Sequence, residues 1–103
     1  MEIIKKLSSM IDDEIEDAEK YAKCALKYKD DDPTLAKTFF DLSTDEMRHM
    51  SLLHDEVVGE IEKYRKAKGE PPEAMQAVYD YLHERQIENA QKAKHYQSLY
   101  RDM

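Results

Sequence analysis

Three residues carry the chemistry that this chain offers. Glu46 and His49 stand in the order Glu-x-x-His, a spacing that puts both side chains on one face of a helix. Glu14 stands upstream, in a segment of its own. Carboxylate and imidazole donors together suit Fe²⁺, with Mn²⁺ or Zn²⁺ as alternatives. Cys24 is the single cysteine, which excludes an internal disulfide and a multi-cysteine zinc site.

The elements that must position these residues follow from the helix breakers. Asp30-Asp31-Asp32-Pro33 reads as a turn, with Asp32 as N-cap and Pro33 as first helical residue. Lys68-Gly69-Glu70-Pro71-Pro72 reads as the second turn, glycine ending one helix and proline starting the next. Three helices are therefore expected, near residues 2–29, 33–67 and 71–101, with the terminal residues 101–103 fraying. Only two glycines and three prolines occur among many good helix formers, so the chain is read as all-α, one domain over residues 1–103. Turns this short force antiparallel neighbours.

Each of the first two helices has an apolar seam with polar residues in its middle. Helix 1 reads Ile4, Leu7, Ile11, Glu14, Ala18, Tyr21, Ala25, Tyr28; helix 2 reads Leu35, Phe39, Leu42, Glu46, His49, Leu53, Val57, Tyr64. A hairpin folded between residues 31 and 32 pairs positions whose numbers total about 63. That places Glu14 opposite His49, with Glu46 one turn away. Buried carboxylates need a partner. One histidine cannot neutralise two of them, and no Lys or Arg lies on either seam at this level. A cation is the simplest compensation. The competing reading is a Glu/His polar network that fixes register inside a non-catalytic interaction protein.

Charge and composition exclude other classes. Charged residues make up 38% of the 103, and the net charge is −7. A nucleic-acid partner needs a basic face, so none is expected. Mean hydropathy is −0.88, and no apolar run reaches the ~18–20 residues of a membrane span. The opening MEIIKKLSSM lacks a long apolar core, so no secretory leader is read and the expected compartment is the cytoplasm.

Glu14 with Tyr21 seven residues on, followed by Glu46-Met47-Arg48-His49, resembles the ferritin-like superfamily of di-iron carboxylate proteins. The stretch DDPTLAKTFFDLSTDEMRH is similar to the start of the second helix in rubrerythrin-type members. The resemblance covers roughly residues 10–60. It implies a non-haem di-iron centre with Glu14, Glu46 and His49 as ligands, Tyr21 hydrogen-bonding a ligand carboxylate, and oxidation of ferrous iron or reduction of O₂ or peroxide. A full-length member carries two such hairpins in one chain, whereas this chain has one. In this it is similar to the half-length, encapsulated-ferritin-like members, a resemblance that implies a homodimer whose two-fold supplies the ligand set twice. No cysteine-rich electron-delivery module is present, which weakens the peroxidase reading.

The third helix is expected to be a packing helix. It places Met75, Val78, Tyr79, Leu82, Gln86, Asn89, Ala93, Tyr96 and Tyr100 on its main face. His83 falls at the stripe's edge and His95 faces away. His54, about 140° from His49 on the wheel, is expected to be solvated or an outer-edge contact. Cys24 is read as a packing thiol.

Overall fold

The computed structural model describes residues 2–102. It is all-helical: α1 (Glu2–Tyr28), α2 (Pro33–Lys68) and α3 (Glu73–Asp102). Their ends follow the local chemistry. The Asp32 carboxylate accepts a hydrogen bond from the Leu35 N–H at 3.2 Å, and Pro33 occupies the first turn of α2. Gly69 closes α2 with φ of 82°, donating its N–H to the Arg65 carbonyl at 2.9 Å. Only glycine adopts that conformation without strain.

α1 and α2 end within one residue of expectation, and α3 differs at both ends. α3 starts at Glu73 and not at residue 71, because a residue followed by proline is steered away from helical ψ. Pro72 instead offers its carbonyl to the Gln76 N–H at 3.0 Å. At the other end Arg101 and Asp102 remain helical; Met103 lies outside the described residues.

The helices lie side by side, α1 antiparallel to α2 and parallel to α3. The molecule measures 56 × 18 × 18 Å. The 36 residues of α2 span about 54 Å at 1.5 Å each, so that helix sets the long axis. α1 is the hub. It packs along both neighbours, while α2 and α3 meet at a few points.

The core is thinner than the seams suggest. α1 buries Ile4, Ser8, Ile11, Ile15, Ala18, Ala22 and Ala25. Of the expected seam, Leu7, Glu14, Tyr21 and Tyr28 are only half-buried. On α2 the buried residues are Ala36, Ser43 and Val57, whereas Leu35 and Leu42 are exposed. On α3 Val78 is exposed, and Gln86, Ala90, Ala93 and Gln97 are buried. Small side chains let helix axes approach closely, and that close contact excludes water better than the bulkier residues beside it.

Two polar relays fasten α3. The buried Ser43 hydroxyl donates to the Ala18 carbonyl at 2.6 Å and accepts from Gln97 Nε2 at 2.8 Å, joining all three helices. Gln86 Nε2 lies within hydrogen-bond distance of the Ser8 hydroxyl (2.9 Å), the Ser8 carbonyl and an Asp12 carboxylate oxygen.

Candidate metal centre

The hairpin brings Glu14, Glu46 and His49 together at mid-length. His49 Nδ1 lies 3.5 Å from Glu14 Oε2 and 3.8 Å from Glu46 Oε2. One ligand-type atom from each residue lies within 4.8 Å of the others. Glu14 comes from the middle of α1 and the other two from the middle of α2. Their meeting follows from the four-residue turn between Tyr28 and Pro33, which leaves the hairpin no freedom of register.

The separations are informative. They exceed the 2.7–3.2 Å typical of a good N–H···O hydrogen bond. Donors each about 2.0–2.2 Å from one cation stand roughly 3–3.5 Å apart, so a small inward adjustment would bring all three onto a common ion. Glu14 Oε2 is sealed from solvent and has no hydrogen-bond partner among the described residues. Nor does any Lys or Arg of the described residues form an ion pair with Glu14 or Glu46. An orphaned carboxylate oxygen in that setting costs about 1–3 kcal/mol or more, and a cation would remove the cost. The donor set, two carboxylates and one imidazole, therefore fits Fe²⁺ or Mn²⁺.

The cluster is not deep. The His49 side chain is 43% exposed, against 26% for Glu14 and 19% for Glu46. It sits at the open edge of the hairpin. On a helical wheel Ile3, Leu7, Met10 and Tyr21 fall within about 40° of Glu14, and Leu35 and Leu42 within about 40° of His49. Ile3, Met10, Leu35 and Leu42 are all exposed. The two expected seams thus converge on a partly open apolar face with the three ligand-type residues in its middle.

Tyr21 is on this face, but it stacks on Phe39 with ring centroids 6.3 Å apart. Its hydroxyl bonds neither carboxylate among the described residues. Cys24 is half-buried and free.

Sequence reasoning missed the pairing of His54 with His83. Neither is an isolated edge residue, because their Nε2 atoms are 3.2 Å apart. A usable signal existed. Ser43–Gln97 and Phe40–Tyr100 both join residues whose numbers total 140, the register of a hairpin folded at Gly69–Pro71. His54 then falls opposite residue 86, within one turn of His83.

Among the described residues no helix is long and apolar enough to cross a membrane. No family model, no curated protein and no solved structure matches the chain.

Proposed function

We propose that this chain is one half of a ferritin-like di-iron protein, whose centre is completed by a second copy and oxidises ferrous iron or reduces O₂ or peroxide. The observation that carries the reading is the orphaned Glu14 Oε2 beside Glu46 and His49, a set with ligand separations and no internal cation. Two copies would supply four carboxylates and two histidines, and four carboxylates balance two Fe²⁺.

The surface supports a second copy. The chain exposes 6958 Å², against about 6,100 Å² for a compact monomer of 12.2 kDa. The excess is close to the ~800 Å² that each partner buries in a standard interface. The exposed Ile3, Met10, Leu35 and Leu42 flank the ligand cluster, so an isologous interface there would bury apolar surface and place two half-sites face to face.

Glu14 and Glu46 would hold the ions through oxygen and His49 through nitrogen. When bound there, ferrous iron would supply the electrons for O₂ or peroxide reduction. The chain's own part is to fix these donors on two rigid helices, to neutralise the ions' charge, and to exclude bulk water with the apolar flanks.

A non-catalytic Glu/His network is less well supported, because the three groups do not hydrogen-bond one another. The test is metal analysis of protein purified without chelator, with aerobic Fe²⁺ oxidation followed by absorbance. One iron per chain, lost in Glu46→Ala, is expected. Metal-free protein whose melting temperature ignores Fe²⁺ would overturn the proposal, since a ligand of the folded state must raise it.

A further inference from the structure

On the far side of α2 from the carboxylate cluster, His54 and His83 bring two imidazoles head to head across the α2–α3 contact. Their Nε2 atoms are 3.2 Å apart and their ring centroids 5.1 Å apart. Tyr79 stacks on His83 with centroids 6.0 Å apart. Both histidines are half-buried and line a cavity of about 300 Å³, together with Met50, Asp55, Gln86 and Lys94.

We propose that His54 and His83 form a bis-imidazole metal site that clamps α3 to α2 and takes a borderline transition-metal ion such as Zn²⁺ or Cu²⁺. Two nitrogens 3.2 Å apart, each about 2.1 Å from one ion, subtend roughly 100° at it, an angle that tetrahedral and tetragonal geometries both accept. The ring torsion of histidine is broad. The rings can therefore turn their lone pairs from one another onto a shared ion without moving the helices. The adjoining cavity has room for the waters that complete coordination. No carboxylate joins the two histidines in a three-residue ligand group among the described residues. The two imidazoles are therefore the direct protein donors, with Asp55 on the cavity wall, unlike the oxygen-rich set at Glu14 and Glu46, and the two sites favour different metals. Without an ion, one ring donates an N–H to the other, and α2 and α3 are joined by that single bond at this level.

The proposal does not depend on the di-iron reading and is tested apart from it. In a Glu46→Ala, His49→Ala background the chelator-stripped chain is titrated with Zn²⁺ by calorimetry. One ion per chain is expected, with a melting temperature raised by roughly 10 °C at a hundredfold excess over Kd. His83→Asn and, independently, His54→Gln should each weaken binding at least about tenfold, with helicity checked by circular dichroism. In the folded background protein the His54 and His83 imidazole resonances should shift on adding Zn²⁺ while those of His95 stay. Absence of Zn²⁺ binding, binding by either histidine variant as tight as that of the background protein, or shifts confined to His95 would overturn the proposal.

Discussion

At the scale of single residues, Glu14 is the half-buried charge that lacks compensation. Its sealed oxygen has no partner, so removing the charge should cost the metal-free fold little. Glu14→Gln is expected to leave metal-free stability within about 1 kcal/mol of the parent, or above it, and to abolish the rise in melting temperature on adding Fe²⁺. Thermal melts of both proteins, with and without the ion, check this. Tyr79 contributes to the alkaline limit. Burial, and then the neighbouring Asp80 charge, push its hydroxyl above the ordinary 10.0. A group that holds its proton more tightly when folded contributes stability that is intact below pH 10.0 and fades as pH rises towards the folded value. Tyr79→Phe should therefore flatten the fall in melting temperature above about pH 10. The convergence of Glu14, Glu46 and His49 was legible, because a short turn and helical spacing leave little choice of register. The His54–His83 pair was not read, since a wheel gives the angle of a residue about its own axis and not which neighbour stands there.

At the scale of elements, the helix boundaries were legible because aspartate, glycine and proline act through local geometry. Gly69 illustrates it: its φ of 82° makes Gly69→Ala destabilising by about 1 kcal/mol, measurable by urea unfolding. The docking of α3 was less legible. A periodicity argument ranks apolar positions, yet Gln86 and Gln97 hold α3 through buried hydrogen bonds. Ser43→Ala would leave the Gln97 amide without its hydroxyl partner and the Ala18 carbonyl without its side-chain donor. A loss of about 1–3 kcal/mol is expected, read from the same denaturant titration.

At the scale of the whole molecule, the chain is a rod. Its radius of gyration is 16.5 Å, against about 13 Å for a compact domain of this length. Its core is small: among the described residues the large side chains sealed to 2% exposure are Ile11, Ile15 and Val57. Under the proposed shared centre, the apolar face running past Glu14, Glu46 and His49 is where the second copy would dock. Leu42→Arg, at an exposed position on that face, should leave the helical content unchanged and shift the mass from dimer to monomer in light scattering. A parent chain that is monomeric with and without Fe²⁺ would sink the shared-centre reading.

By itself the sequence determined the all-α class, the three helices and the register that sets Glu14 against His49. Those properties rest on local conformational preference and on a turn too short to slip. Only the tertiary structure decided which stripe of each helix faces its own chain. On α1 that stripe is Ile4, Ser8, Ile11, Ile15 and three alanines, and on α2 it is Ala36, Ser43 and Val57, where small side chains between the larger ones allow close packing. That choice leaves Leu35, Leu42, Ile3 and Met10 outside, and the carboxylates and imidazole at an open edge rather than in a closed core.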